Sequence, residues 1–159
     1  MAKARISWDE LFMEMAFTLT KRSSCLNSQM GAVLVTQDND VISTGYNGSP
    51  ARLPNCTDVG SCRRREDPDY ESGKNLHLCN AVHAEINAIL LAAKNGHSTK
   101  GAKLYCTHQP CKECAKQIVN SGIEEVIFSQ SYPNNDESIK IMQHGGIRVK
   151  SRPGSGSNK

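Results

Sequence analysis

The spacing of apolar residues divides the chain into alternating helices and strands. Apolar side chains recur at helical spacing between residues 8 and 22, which predicts a first helix. Two β-rich runs, at 31–35 and 41–47, flank the polar tip QDND and predict a hairpin. Periodicity then disappears between about residues 48 and 80. A structureless stretch of this length is uncommon in a compact domain, so we expect it either to have a function or to be held in place by an internal cross-link such as a bound metal.

Periodic structure resumes in the second half of the chain, where residues 83–96 predict a second helix. Four apolar positions are expected to line one face of this helix: Ile86, Ile89, Leu90 and Ala93. The remaining predicted elements are a strand at 102–108, a helix at 111–121 that Pro110 opens because proline suits the first helical position, a strand at 124–130, a helix at 136–146 and a strand at 147–150.

Helices that alternate with strands are typical of the α/β class. We expect a single domain over residues 1–150, because 159 residues with 38% hydrophobic and 22% charged side chains can bury one core. The tail SRPGSGSNK, residues 151–159, has no apolar side chain and is expected to be disordered.

Charge and hydropathy limit the class of partner. The net charge of +3 is too small to indicate a nucleic-acid groove, although it suits a phosphate-bearing small molecule. No run of 18 apolar residues occurs, so we expect no transmembrane helix and no membrane partner. The first residues, MAKARISWDELFMEMA, mix acidic with apolar side chains and predict an amphipathic helix, not a signal peptide. A cytoplasmic protein is therefore expected.

Seven cysteines are many for such a chain. An odd number and the lack of a secretory signal argue against a disulfide framework. Metal ligands, a redox pair and inert buried thiols remain as explanations, and the spacing of the cysteines has to decide among them.

The strongest chemical signal combines His83-Ala84-Glu85 with the segment PCKEC at 110–114. The C-x-x-C spacing alone also fits a redox pair or half of a structural zinc ribbon. Together, Cys111, Cys114 and His83 make three ligands, the number typical of a catalytic zinc that keeps one position open. Both thiolates are expected in the first turn of a helix, where the dipole favours them. Glu85 can transfer protons beside a metal-activated water, and H-x-E with P-C-x-x-C is the pattern of zinc deaminases.

The chain resembles the deoxycytidylate deaminases of the cytidine deaminase superfamily over about residues 6–130. The matching segments are ISWDELFMEMA, RSSC, GAVLV, TGYNGSP, HAEINAILLAA and PCKECAKQIVNSGI. The resemblance implies a three-layer α/β/α sandwich around a mixed five-stranded sheet. It also implies a zinc-dependent hydrolase that converts dCMP to dUMP and ammonia and feeds dTTP synthesis.

The same resemblance implies roles for individual residues and for ligands. The family's zinc ligands match His83, Cys111 and Cys114, and its proton shuttle matches Glu85. The asparagine matching Asn47 bonds the sugar hydroxyl, the backbone at Ala84 contacts the base, and Tyr132 lies near the nucleotide. The alternatives are a turn role for Asn47 and simple packing for Tyr132. Many members are hexamers activated by dCTP and inhibited by dTTP, so we expect a homohexamer, allosteric nucleotides and Mg²⁺ bound with such a nucleotide.

Four further cysteines could hold the long segment in place by binding a metal: Cys25, Cys56, Cys62 and Cys79. A second, structural zinc would close the loop that contains three of them. Related deaminases carry a second zinc with cysteines that match Cys25 and Cys56. Cys62 and Cys79 are our choice for the other two ligands, with His77 as a substitute. The alternative is that these are buried or unpaired thiols, as we expect for Cys106 within its apolar strand.

The sequence departs from the resemblance at two positions, where Asn27 and Asn80 replace arginines that many members have. These departures affect the expected phosphate contacts. The replacements considered are Arg22, Ser24 and Lys94, and the run 63–65 is more simply a solvated basic loop.

Three functions compete at this level. The first is a nucleotide deaminase. The second is deamination of another cytosine nucleoside or of a base in a nucleic acid, which would need aromatic and basic side chains on one surface. Only 5% of the residues are aromatic, which argues against it and against a nucleic-acid partner. The third is a non-catalytic zinc-binding protein, which would leave the complete set of His83, Glu85, Cys111 and Cys114 unexplained.

Overall fold

The computed structural model describes residues 4–71, 75–132 and 135–152. Within these ranges the elements are, in order, α1 (Trp8–Thr20), β1 (Gly31–Val35), β2 (Val41–Tyr46), α2 (Cys56–Val59), a 3₁₀ turn (Leu76–Leu78), α3 (Ala84–Lys94), β3 (Lys103–His108), α4 (Lys112–Asn120), β4 (Glu125–Gln130), α5 (Asp136–His144) and β5 (Arg148–Ser151). All of the predicted helices and strands are present, with ends that differ by a few residues.

The five strands form one mixed sheet in the order β2-β1-β3-β4-β5. Strand β1 is antiparallel to both β2 and β3, whereas β3, β4 and β5 run parallel to one another. The parallel pairs place the carboxyl ends of β3 and β4 at the same edge of the sheet. This is the edge at which open α/β sheets bind their ligands.

Helices cover both faces of the sheet. Helix α1 packs on one face, where Phe12 and Ala16 meet Val33 and Tyr105. Helices α3, α4 and α5 cover the other face and form the larger core. Every residue of β1 is buried, because this strand lies between two helix layers, and that is why it is a continuous apolar run. The predicted three-layer α/β/α sandwich is confirmed.

Helix α3 approaches β2 very closely at Gly45. A Cβ atom built on Gly45 would lie 2.1 Å from the carbonyl oxygen of Ala84 and 2.5 Å from the backbone nitrogen of Ala88. The buried face of α3 is therefore the row of small side chains at 84, 88 and 92, together with Glu85. The predicted face was wrong at Leu90, which is 53% exposed, and at Ala93, which is also exposed. Ile86 and Ile89 are half-buried and pack against the core, as predicted.

The C-terminal strand ties the end of the chain to the first helix. Strand β5 extends to Ser151, and the N–H of Arg152 donates to the carbonyl oxygen of Phe128 at 2.7 Å. The Arg152 guanidinium also pairs with Asp9, which accepts the hydroxyl of Tyr105 at 2.6 Å. Residues 151 and 152 thus belong to the fold and not to a disordered tail. Residues 153–159 lie outside the described residues.

The segment between β2 and α3 has short elements of its own. Asn55 precedes the four-residue helix α2, and its backbone N–H donates to the Asp58 carboxylate at 3.0 Å. A backbone bridge between Gly48 and Val82 closes the segment at its base. The helices of the described ranges are all too short or too polar to span a lipid bilayer.

Candidate zinc centre

The amino ends of α3 and α4 converge at one place on the sheet edge. His83 is the N-cap of α3, and Cys111 is the N-cap of α4, both with extended backbone angles. The sulfur of Cys111 accepts the N–H of Cys114 at 3.5 Å. Because this sulfur provides the cap, Pro110 lies just outside the helix, and its predicted place at the first helical position was wrong.

The three predicted ligands are brought together. The Nδ1 atom of His83 lies 3.5 Å from the sulfur of Cys111 and 3.3 Å from that of Cys114. On a tetrahedral zinc, with Zn–S near 2.3 Å and Zn–N near 2.0–2.1 Å, a sulfur and a nitrogen are about 3.5 Å apart. Within residues 4–71, 75–132 and 135–152, no other group of three or more His, Cys, Asp or Glu ligand atoms lies within 4.8 Å. The donor set and its spacing therefore fit zinc.

The two thiols are electrostatically unequal. The hydrogen bond from Cys114, opposed by burial and assisted by His83, lowers the pKa of Cys111 to about 4. The same hydrogen bond, together with burial, raises the pKa of Cys114. The two thiols are coupled, so their hydrogen bond favours one thiolate and one thiol, and a bound cation is what would stabilise a second thiolate.

Glu85 lies one residue inside α3 from the ligand end and is only 4% exposed. Its Oε2 atom is the one buried side-chain nitrogen or oxygen in the described part of the chain that has no hydrogen-bond partner. Burial raises the pKa of this carboxyl group. A buried carboxylate oxygen left without a protein partner beside three metal ligands is suited to accept and donate a proton there.

Asn47 is hydrogen-bonded to the segment that follows α1. Its Oδ1 accepts the N–H of Met30 at 2.8 Å and the hydroxyl of Ser23 at 2.6 Å, and its Nδ2 donates to the carbonyl oxygen of Ser28 at 2.7 Å. These bonds give Asn47 a clear role in ordering residues 23–30. The predicted contact with a sugar hydroxyl stays a prediction, as does the predicted backbone contact at Ala84, which is the first residue of α3.

Tyr132 lies two residues after the end of β4, beside His108 at the end of β3. It is 38% exposed, and its ring stacks on His108 with centroids 5.6 Å apart and an interplanar angle of 23°. Burial raises its pKa, and the charges of Glu85 and Cys111 contribute, so the ring lies within electrostatic reach of the centre. Sequence reasoning missed His108, although its place at the carboxyl end of β3, three residues before Cys111, could have indicated it.

The four cysteines of the predicted second metal site are near one another without converging on one point. Cys56, Cys62 and Cys79 line one cavity, and Cys62 is buried. Burial, followed by the charges of the other thiols including Cys25, raises the pKa of Cys56. Among the described residues their sulfurs do not form a group within 4.8 Å, unlike those of the first centre. The second metal stays a prediction, and the substitute ligand His77 is exposed.

The basic run 63–65 is not a uniform solvated face. Arg63 and Arg65 are exposed, as expected, but Arg64 is only 8% exposed. Its guanidinium lies over the ring of Tyr70, 5.7 Å from the centroid. The prediction was therefore wrong for Arg64, because Tyr70, which follows it in the same segment, folds back to cover it.

A three-layer sandwich with a His-Cys-Cys centre at two helix starts and a buried glutamate beside it defines a zinc-binding deaminase domain. The family model described as "Cytidine and deoxycytidylate deaminase zinc-binding region" matches residues 6–130, and the chain belongs to this family.

Individual relatives agree with this assignment. The chain is 43% identical over 146 residues to the deoxycytidylate deaminase of Saccharomyces cerevisiae, covering 92% of this chain and 45% of the yeast protein. It is 40% identical over 134 residues to the deoxycytidylate deaminase of Homo sapiens, covering 84% and 71%. The chain thus spans less than half the length of the yeast relative.

Among solved structures, the chain is similar to the dCMP deaminase from the cyanophage S-TIM5 in complex with dCMP and dUMP. The TM-score is 0.75 at 28% identity, and the match covers 94% of this chain and 100% of the phage protein. The sheet and its helices are therefore similar in arrangement to those of the phage dCMP deaminase.

Proposed function

We propose that this chain catalyses the hydrolytic deamination of dCMP to dUMP and ammonia. One observation carries the proposal. Three side chains that can bind zinc lie at the spacing of a tetrahedral site, and the Oε2 atom of Glu85, two residues after His83, has no hydrogen-bond partner. The choice of substrate is supported by the yeast and human relatives and by the phage structure that contains dCMP and dUMP.

The residues of the centre have different roles in the reaction. His83, Cys111 and Cys114 would hold the zinc, which when bound supplies Lewis acidity and an activated water at neutral pH. The carboxylate of Glu85 accepts a proton from the attacking water and delivers it to the amino nitrogen that leaves C4 of the cytosine as ammonia. Burial raises the pKa of Glu85, so the proton is held and released more readily near neutral pH than by an exposed glutamate.

Residues around the zinc centre orient the nucleotide. We assign the base to the space between the start of α3, at Ala84, and the ring of Tyr132. The sugar hydroxyl is assigned to Asn47, whose amide has a second N–H in addition to the one that binds Ser28. His108 keeps the Tyr132 ring in place by stacking on it.

The decisive experiment replaces Glu85 by glutamine and measures zinc per chain and ammonia release from dCMP. We expect zinc to be retained and kcat to fall by about 10²–10⁴, the usual contribution of general acid–base catalysis. The matched control is Glu113→Gln. Glu113 lies between the two cysteine ligands in sequence, but it is exposed and pairs with Lys116 at 2.8 Å. Near-normal turnover in the Glu85 variant would remove this residue from the mechanism.

The same assay separates the competing functions. Wild-type protein is incubated with dCMP, cytidine and a tRNA. Ammonia release from dCMP supports the proposal, and release from the tRNA alone would establish a nucleic-acid deaminase instead. Bound zinc with no ammonia from any substrate would establish a non-catalytic zinc protein.

We also propose a second, structural zinc, separate from the catalytic one and bound by Cys25, Cys56, Cys62 and Cys79. Its support is the mutual proximity of the four thiols and the cavity that three of them line. We expect two zincs per wild-type chain and one after Cys62→Ser. The control is Cys106→Ala, which removes a buried thiol from β3 and should leave two. One zinc in the wild type would remove the structural site and leave the catalytic one.

Regulation and assembly follow the family resemblance. We extend the proposal to a homohexamer that contributes to dTTP synthesis, is activated by dCTP with Mg²⁺ and is inhibited by dTTP. Light scattering after gel filtration, with and without each nucleotide, measures the assembly. Unchanged dCMP kinetics in the presence of dCTP and dTTP would exclude this regulation.

A further inference from the structure

Gln109 is a buried polar residue to which the proposed reaction assigns no role. It directly follows β3, is 4% exposed and lies two residues before Cys111. Burying a side-chain amide costs free energy unless its N–H groups find acceptors. The hydrogen-bond partners of Gln109 therefore show which parts of the chain this residue holds together.

The backbone of Gln109 binds the end of β4. His108 and Gln130 form the last pair of residues between β3 and β4, and the N–H of Gln109 donates to the carbonyl oxygen of Gln130 at 2.7 Å. Beyond this bond the two strands lead in different directions, one to Cys111 and α4 and the other through Tyr132 to α5. Gln109 therefore lies at the point where these two connections separate.

The side chain of Gln109 binds the start of α5. Its Nε2 donates to the carbonyl oxygen of Asn135, the N-cap of α5, at 2.7 Å and to the hydroxyl of Ser138 at 3.0 Å. The Ser138 hydroxyl is buried and donates in turn to the same Asn135 carbonyl at 3.0 Å. Both N–H groups of the amide therefore have acceptors, as a buried neutral donor requires.

Asn135 returns the contact to the segment that carries two of the proposed zinc ligands. Its Nδ2 donates at 3.1 Å to the carbonyl oxygen of Pro110, the residue before Cys111. Gln109 thus binds the backbone of Asn135, and Asn135 binds the backbone of the residue that follows Gln109. This reciprocal pair of amides ties the segment before α4 to the start of α5.

Tyr132 lies between the two backbone positions that Gln109 binds. Gln130 and Asn135 flank the connection from β4 to α5, and Gln109 donates to a carbonyl oxygen of each. One residue therefore fixes the distance between the two ends of this short connection. Fixing both ends reduces the number of conformations open to Tyr132 inside it.

We infer that Gln109 is a positioning residue that holds Tyr132 in place relative to the zinc ligands and so contributes to nucleotide binding without contacting the nucleotide. This inference rests on the proposed function, which assigns the base to the space beside Tyr132. It gives Gln109 a role in affinity and not in proton transfer, because Glu85 and its position on α3 do not depend on this amide.

The first test replaces Gln109 by methionine. Methionine has a similar length and fills the same space, but it has no N–H to offer to Asn135 or Ser138. We expect KM for dCMP to rise by about fivefold to tenfold, within the range that the loss of two neutral hydrogen bonds allows. The affinity for dUMP, measured by calorimetry, should fall to the same extent. The value of kcat should change by less than about twofold, since the lost interaction contributes to binding, and the zinc content should not change.

A double-mutant cycle decides whether Gln109 acts through Tyr132. Tyr132→Ala removes the side chain that Gln109 is inferred to place, so Gln109→Met should raise KM no further in that background. The matched control is Thr99→Val. The Thr99 hydroxyl donates at 2.6 Å to the carbonyl oxygen of Ser121, at the other end of α4. Loss of this bond should lower Tm and leave KM unchanged in either background.

Hydrogen exchange gives a readout that needs no substrate. Measured by mass spectrometry on the peptide that contains Tyr132, exchange should be faster in Gln109→Met than in wild type and unchanged in Thr99→Val. Faster exchange in the methionine variant is expected because the start of α5 loses two of its hydrogen bonds.

The outcomes separate this inference from the proposed function. A wild-type protein that does not deaminate dCMP refutes the function. In an active wild type, unchanged KM or unchanged exchange in Gln109→Met overturns the inference. An equal rise in KM with and without the Tyr132 side chain also overturns it, as does an equal rise in Thr99→Val, because either pattern indicates a role only in general stability. Loss of zinc with lower kcat and unchanged KM would place the role of Gln109 at the ligands and overturn it as well.

Discussion

Replacing Gly45 by alanine should disturb the zinc centre from a position that contacts none of its ligands. Gly45 is on β2, directly beneath α3, and its missing side chain allows the helix to lie against the strand. Two hydrogen bonds span the same contact, from Ser43 to the carbonyl of Ala88 at 2.7 Å and from Asn87 to the carbonyl of Tyr46 at 2.8 Å. Helix α3 carries His83 and Glu85 at its start, so its position sets theirs.

The size of the effect follows from the distances. The added Cβ would lie 2.1 Å from the carbonyl oxygen of Ala84, whereas close carbon–oxygen contacts are about 3.3 Å. The start of α3 must therefore move by about 1 Å, because both atoms belong to backbone that cannot rotate away. Overpacking of this kind costs about 1–3 kcal/mol, and a 1 Å displacement of catalytic groups can lower kcat by about a hundredfold.

The assay measures the melting temperature, the zinc content and the dCMP kinetics of the variant. A loss of about 1–3 kcal/mol should lower Tm by about 2–12 °C in a domain of this size. The matched control is Gly96→Ala, just beyond the other end of α3. Gly96 has φ +71°, and a Cβ there meets nothing within 4 Å, so alanine strains the backbone by about 1 kcal/mol without moving the start of the helix. A Gly45 variant with wild-type Tm, zinc content and kcat would refute the argument that this contact positions the centre.

Three further predictions follow from other parts of the structure. Cys111→Ser should lose the catalytic zinc and all turnover, measured by metal analysis, because a serine hydroxyl is a far weaker zinc ligand than a thiolate. His108→Ala should raise KM for dCMP more than it lowers kcat, and His108→Phe should restore KM, because a phenyl ring can still stack on Tyr132. Burial raises the pKa of Glu125, but the hydrogen bond and charge of Lys150, with those of Arg148, outweigh it and lower the pKa below the ordinary 4.5. Its contribution to stability is therefore present above about pH 4.5 and lost as the pH falls through the lowered value. Glu125→Gln should therefore be less stable than wild type at pH 7, and denaturant titrations should show this difference shrinking as the pH is lowered below 4.5.

The order of helices and strands and the grouping of the proposed zinc ligands could be predicted from the sequence because they depend on neighbouring residues. Helical and strand periodicities are local, so the hairpin at 31–46 and the helices around it appear in the pattern itself. The zinc ligands lie at the starts of two helices, at His83 and Cys111, and the C-x-x-C spacing already places Cys114 beside Cys111. Glu85 is equally local, since it is two residues after its partner ligand.

The remaining features depend on residues that are distant in sequence and meet only in the folded chain. The hydrophobic pattern assigned Leu90 to the buried face of α3. Gly45, from a strand almost forty residues earlier, instead brings β2 against the backbone at Ala84 and Ala88, so the face with these small side chains is buried. Arg64 was assigned to solvent by its charge, yet Tyr70 folds over it. Whether a side chain is buried depends on how closely other parts of the folded chain pack against it. The spacing of residues within one segment does not determine how closely they pack.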